Sequence, residues 1–223
     1  MRIRQQLCFV SIILFCLILH SACATDGKRT GAHVDKTPKT YVFECPNKER
    51  FTVRFENNNA LLFLPMGFVT IPRVQSVSGA KYSDGKTTVW HRGEQAIVNL
   101  GGKPMGNCIN NSKEVAWERA RLDGVNLRAV GNNPGWYLEI TNDKSIVFVK
   151  DNNKKRYEFP FAPPTVNGAT AKTKYETRKD DQQLIVVTTG QECRDLASGQ
   201  VYERTVTLKF DGKSYSGCGR VLN

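Results

Sequence analysis

The chain has 223 residues, 40% hydrophobic and 24% charged, with 32 Lys and Arg against 21 Asp and Glu for a formal net charge of +11. Such a composition is globular and long enough for one large domain or two small ones. The basic excess is spread along the chain, and its densest cluster, Lys154-Lys155-Arg156, reads as a solvated loop. No nucleic-acid fold signature accompanies it, so no nucleic-acid partner is expected, and attraction to an anionic lipid or polysaccharide surface fits better.

Residues 1–23 read as a targeting segment. Arg2 and Arg4 form a positive start, Leu7 to Leu19 is an apolar run of 13 residues, and Ser21-Ala22 precede Cys23. This is the pattern of a secretory signal, too short for a comfortable spanning helix. Leu19-His20-Ser21-Ala22-Cys23 resembles a bacterial lipobox, in which the cysteine becomes an acylated first residue; His20 departs from it. Cys23 is therefore the expected lipidation site and a membrane anchor. The alternative is cleavage after Ala22 or Ala24 and a soluble periplasmic protein. Ala24 beside Cys23 favours the periplasmic face of the outer membrane. Residues 24–40, with Gly27, Gly31, Pro38 and four cations, read as a flexible tether.

From 41 to 110 the pattern turns to short strands. Phe51, Val53 and Phe55 alternate with Thr52 and Arg54, Asn57-Asn58-Asn59 signals a turn, and Leu61 to Leu64 is a second apolar run. Val69 to Val74, Thr87 to Trp90 and Ala96 to Leu100 follow at short intervals. That spacing predicts a small antiparallel β-barrel or sandwich with a thin core. Residues 111–223 predict a second, mostly antiparallel β domain with one short helix, Lys113 to Arg121. Ser112 is its expected N-cap, Val115, Ala116 and Ala120 its apolar face, and Gly124 its stop. Trp136 to Ile140, Ser145 to Val149, Leu184 to Thr188 and Thr205 to Phe210 read as strands, Phe159 to Pro164 as a stiff loop, and Gly131 to Gly135 as a turn. The fold class is mainly β, and no internal repeat relates the two halves.

Once the signal cysteines and Cys23 are set aside, Cys45, Cys108, Cys193 and Cys218 remain, and four cysteines allow three pairings. Two domains with two cysteines each favour Cys45–Cys108 and Cys193–Cys218 in an oxidising compartment. Beyond the signal only His33 and His91 occur and no CxxC is present, which excludes a zinc site. No cofactor is expected. Neither histidine has a nucleophile or acid motif around it, and acidic pairs such as Asp180-Asp181 lie in polar turns. The chain therefore reads as a binder with no catalytic residues.

Ser78-Gly79-Ala80-Lys81-Tyr82-Ser83-Asp84-Gly85 and Trp90-His91-Arg92-Gly93-Glu94-Gln95-Ala96 resemble the two signature loops of the bacterial MliC/PliC inhibitors of c-type lysozyme, Ser-Gly-x-x-Tyr and Trp-x-Lys-Gly-x-x-Ala. Phe43-x-Cys45, Val53-x-Phe55-x-Asn57 and Asn107-Cys108 flank them. The resemblance implies an exported, often lipid-anchored, eight-stranded barrel closed by a disulfide, with c-type lysozyme as partner. It places Ser78 on the loop that enters the lysozyme cleft and makes Gly79, Tyr82, Arg92 and Gly93 binding positions. Arg92 stands where the family has lysine. Trp90 and Ala96 would support the loops, and His91 reads as an exposed loop residue. The stretch 41–110 carries eight Lys or Arg against five Asp or Glu, so long-range charge would slow encounter with a basic lysozyme. The alternative is an envelope module that keeps the barrel but binds another ligand or cell-wall component.

The second half is similar to a poorly characterised domain of bacterial envelope lipoproteins. The resemblance rests on Arg128 to Trp136, on Cys193-Arg194-Asp195-Leu196-Ala197-Ser198-Gly199 and on Gly217-Cys218-Gly219-Arg220. It implies no activity. The oligomeric state is not readable from the sequence.

Overall fold

Eight short strands in the first half of the chain close on themselves. They are β1 (Lys39–Glu44), β2 (Arg50–Glu56), β3 (Asn59–Leu64), β4 (Gly67–Val74), β5 (Ala80–Ser83), β6 (Thr88–Arg92), β7 (Gln95–Leu100) and β8 (Lys103–Asn110), paired in sequence order into a closed antiparallel barrel. The computed structural model describes residues 38–64 and 67–223, so the expected signal, the Cys23 anchor and the tether up to 37 lie outside the described residues. β1 begins at Lys39, within the span read as tether.

Period-two alternation sends Phe51 and Val53, Ala60 and Leu62, Val89, and Ala96 and Val98 into the barrel, where they meet Phe43, Ile71 and Met105. Asn57 and Asn58 both take left-handed backbone between β2 and β3, as a tight two-residue hairpin loop needs. The sequence leaves β5 and β8 unread because β5 has only four residues and β8 carries Pro104 and Gly106. The barrel closes weakly by hydrogen bonds alone, since β1 and β8 share only the pairs Phe43↔Asn110 and Glu44↔Ile109. The Cys45–Cys108 disulfide crosses that junction, and its sequence separation of 63 corresponds to about 4 kcal/mol in the chain-entropy account.

The helix α1 (Ser112–Leu122) follows and lies against β1 and β2. Thr52 donates its hydroxyl to Glu118, and Arg54 pairs with Asp123 at 2.8 Å. The N-cap is Asn111, not Ser112, and its side chain makes no cap bond because it donates to Glu44 of β1. The buried face is Glu114, Trp117 and Ala120, not Val115, Ala116 and Ala120. The polar member is buried because two arginines meet it. Glu114 accepts from Arg50 of β2 at 3.1 Å and from Arg220, near the C-terminus, at 2.8 Å.

Arg220 belongs to a nine-stranded antiparallel sheet. Its strands are β9 (Leu127–Asn132), β10 (Gly135–Thr141), β11 (Ser145–Lys150), β12 (Lys155–Pro160), β13 (Thr165–Asn167), β14 (Lys172–Lys179), β15 (Gln182–Thr189), β18 (Arg204–Phe210) and β19 (Lys213–Val221), in the order β12-β11-β10-β9-β19-β18-β15-β14-β13. β16 (Cys193–Arg194) and β17 (Val201–Tyr202) form a separate ribbon. The sheet curls so that β12 nears β14, where Thr177 donates its hydroxyl to Pro160 O at 2.7 Å. Leu138, Ile140, Ile146, Phe148, Leu184, Val206, Leu208 and Phe210 fill the hollow. Trp117 of α1 packs elsewhere, against Tyr202 and Cys218. Barrel, helix and sheet belong to one compact unit, Thr37–Asn223.

Three expectations change. The turn at Gly131 to Gly135 is shorter, because Gly131 ends inside β9 and Gly135 opens β10. Lys155 and Arg156 lie in β12 rather than in a loop, paired with Lys150 and Val149, and only Lys154 stays in the turn. Phe159 and Pro160 likewise extend β12; that strand is a sheet edge, where proline removes no needed ladder bond. Cys193 and Cys218 are joined.

Candidate functional site

The connection from β4 to β5, residues 75–79, is built as a rigid projection. Ser76 donates its hydroxyl to Gly79 O at 3.1 Å, closing the loop on itself. Gly79 sits at φ 68°, and a Cβ there would lie 2.5 Å from His91 O and 2.7 Å from Arg92 Cγ. Glycine is thus required twice, for the left-handed backbone and for the approach to β6. That close approach is to the barrel's own strand. Trp90, on β6, donates its indole N–H to Ser78 O at 2.8 Å. Arg92 lays its guanidinium over the Trp90 ring at 4.1 Å, a cation–π contact. Ser78 is exposed at the tip, beside Val77, whose side chain is wholly in solvent.

Gly93 takes φ 58° at the first position of the two-residue loop joining β6 to β7, where a type II′ turn uses glycine. Because β5 and β6 run antiparallel with Ala80 opposite His91, this hairpin lies at the same end of the barrel as Ser78. Ser78, Gly79, Trp90, Arg92 and Gly93 are therefore together. Asp84 and Gly85, in the same sequence motif, are at the far end of β5, roughly 20 Å from Ser78 at 3.3 Å per residue. There the Asp84 carboxylate accepts from the backbone N–H groups of Lys86 and Thr87, and those bonds hold its pKa below the ordinary value.

Two positions sit deeper than the motif suggests. Tyr82 is buried in the barrel with its ring stacked on Phe55 at 4.9 Å, and Ala96 is core. Both reach a partner only through the strands they anchor. His91 is not an exposed loop residue. It is a half-buried residue of β6, with its ring 4.5 Å from Tyr41, 5.0 Å from Phe55 and 6.1 Å from Phe43. Its neighbour Trp90 faces outward, so strand alternation turns His91 inward. Burial lowers its pKa, and Nε2 has no hydrogen-bond partner among the described residues.

The brace from Ser76 was not found from sequence, although a serine three residues before a glycine is the pattern of a side-chain-closed turn. Also unforeseen was the tie of the β6–β7 hairpin to β8, where Asn110 donates to the Glu94 carboxylate at 2.6 Å and accepts from Val42 N at 2.9 Å. Among the described residues no group of three or more His, Cys, Asp or Glu is placed to hold a metal, and no helix is long and apolar enough to cross a membrane.

Chemically, this end of the barrel offers the exposed Ser78 hydroxyl and the exposed Arg92 guanidinium over a fixed backbone. This is a recognition surface for carboxylates and other acceptors. No curated protein and no solved structure matches the chain. Residues 43–105 match the sequence model of the MliC family, described as membrane-bound lysozyme-inhibitor of c-type lysozyme. The match runs from the second-last position of β1 into β8 and includes the whole Ser78–Arg92 constellation, so the likeness to lysozyme inhibitors rests on the barrel alone. The barrel is thus similar to domains of the MliC family.

Proposed function

We propose that the barrel inhibits c-type lysozyme by inserting the Ser78 loop into the active-site cleft, and that the chain is held at the envelope by acylated Cys23. The observation that supports this most is the clamp on the loop: Ser76, Gly79 and Trp90 fix the backbone while the Ser78 hydroxyl stays free toward solvent. Little loop entropy is then lost on binding. Lysozyme works with two carboxyl groups, one protonated and one ionised. A serine hydroxyl donates to the ionised form and accepts from the protonated one, so it is suited to either. Arg92 adds a guanidinium whose planar fork matches carboxylate geometry.

The test is lysis of a cell-wall suspension by a c-type lysozyme in the presence of the full chain, with binding followed by calorimetry. Ser78→Ala removes a charge-assisted hydrogen bond of roughly 1.5–3 kcal/mol and weakens affinity by about 10- to 150-fold. Arg92→Ala weakens it further. Undiminished lysis at micromolar protein would refute inhibition of that enzyme. The anchor is tested separately: labelled palmitate marks the wild type and not Cys23→Ala.

A further inference from the structure

A stable protein complex buries roughly 800 Å² on each partner, more than a loop of five residues supplies. An inhibitor built on the Ser78 loop must therefore use barrel surface next to it. The loop touches the barrel through Trp90, and the register continues from there. Trp90 is opposite Ile97 of β7, which is opposite Asn107 of β8. One step along, Arg92 is opposite Gln95, which is opposite Ile109.

Ile97 and Ile109 both point outward, with 53% and 57% of their surface exposed, and Val77 at the loop tip is 106% exposed. Trp90, Arg92, Gln95, Ile97 and Asn107 line a shallow depression of about 300 Å³. The apolar groups thus run as one stripe from the loop tip across β6, β7 and β8, with the Trp90–Arg92 stack in the middle. Isolated exposed aliphatic side chains are ordinary on any surface. Here three occur in line with the residues that hold the candidate loop, Val77 on the clamped loop itself and Ile97 and Ile109 on strands whose backbones are fixed by the ladder.

We infer that this stripe, Val77–Trp90–Ile97–Ile109, is the remainder of the lysozyme-binding face and packs against the apolar rim of the enzyme's cleft while Ser78 occupies its interior. The inference rests on the proposed inhibition, and it adds specificity positions that the signature loops do not contain. Trp and Arg side by side with aliphatic neighbours have the composition of interface centres. Valine and isoleucine are β-branched and stiff at χ1, so ordering them on contact costs little.

The test compares the full wild-type chain with Val77→Asp and with an Ile97→Lys/Ile109→Lys pair, by calorimetry against a c-type lysozyme. Leu196→Lys is the control for loss of surface hydrophobicity, because Leu196 is 95% exposed far along the chain in the loop between β16 and β17. Ile97→Thr/Ile109→Thr keeps β-branching and replaces the pair if the lysines disturb folding, checked by circular dichroism. The expectation is at least a tenfold rise in Kd for Val77→Asp and for the β7–β8 pair, with Leu196→Lys unchanged. Wild-type binding retained within twofold by both stripe variants would overturn the inference and leave inhibition standing. No binding by the wild type would overturn inhibition itself, and the stripe's role with it. If sedimentation shows that the stripe variants abolish self-association while lysozyme affinity is kept, the stripe is a contact between copies and the inference fails.

Discussion

Gly79→Ala separates the two demands placed on the site. At φ 68° an alanine is strained by roughly 1–2 kcal/mol before any contact is considered. Its Cβ would also lie 2.5 Å from His91 O, a backbone atom that the β6 ladder holds on both sides. The carbonyl cannot yield, so the loop must. Lifting it off β6 breaks the 2.8 Å bond from Trp90 to Ser78 O, worth about 0.5–1.5 kcal/mol. The summed cost is about 1.5–3.5 kcal/mol. Gly93→Ala is the matched control, with φ 58° and nothing within 4 Å of its added Cβ, so it should cost only the conformational part. Urea titration of both variants gives the difference, since a change in midpoint at constant slope is a change in stability. Fluorescence adds a local report through Trp90, and lysozyme affinity should fall far more for Gly79→Ala because Ser78 is displaced. Equal destabilisation by the two variants would refute the steric argument. So would a Gly79→Ala protein that binds lysozyme like the wild type.

Glu114→Gln should destabilise the fold by roughly 2–3 kcal/mol, less than for a fully buried pair because Arg50 and Arg220 keep water contact. Burial alone would raise the Glu114 pKa, but the hydrogen bonds and charges of Arg220 and Arg50 outweigh it and bring it below the ordinary value. The glutamate's contribution is present above that value and is lost as pH falls through the depressed one, so the variant should lose this acid-side slope in denaturation midpoints. His91 has the opposite charge logic. Burial lowers its pKa, so below about pH 6.5 the unfolded chain takes up a proton that the folded barrel refuses. Stability should fall as pH drops from 6.5 toward the lowered value, and His91→Phe, which suits the Tyr41–Phe43–Phe55 cluster, should abolish that fall.

Strand positions were legible wherever alternation met a buried face. Val206, Leu208 and Phe210 against Thr205, Thr207 and Lys209 is a period-two signal, and the structure buries the first set. β19 escaped because Gly217 and Gly219 interrupt it; they are there because a Cβ at Gly217 would strike the backbone of Val130 and the Trp136 ring. β14, Lys-Thr-Lys-Tyr-Glu-Thr-Arg-Lys, escaped because it lies one strand from the sheet edge and presents mostly exposed polar groups. The buried face of α1 was misassigned for a related reason. Its central polar residue is Glu114, and only tertiary partners 64 and 106 residues away make that burial possible. His91 failed the same way, since a lone histidine in a motif carries no sign of three rings around it. Within the site, the loop residues were legible as a motif. The depth of Tyr82 and the outward stripe at Ile97 and Ile109 depend on register, which the sequence leaves open without β8.

The two halves share a connectivity that their sequences conceal. β9 to β12 and β14, β15, β18 and β19 each pair in sequence order and β19 returns to β9, while β12 and β14 form no ladder, so eight of the nine strands of the second sheet follow a comparable meander left open at that point. In each, the fourth and fifth strands are only weakly joined. In the barrel β4 and β5 share only Arg73↔Tyr82 and Val74↔Lys81, and in the sheet β12 and β14 are bridged by the Thr177 hydroxyl. Each inserts its projecting connection there, residues 75–79 in one and 161–171 in the other. Only the first has a glycine pressed against the neighbouring strand and an indole holding the loop carbonyl. In the second, Gly168 has open space around it. A shared meander therefore supplies the place for a recognition loop but not the loop's rigidity, and the proposed inhibition rests on the clamp of Ser76, Gly79 and Trp90 rather than on the barrel as such.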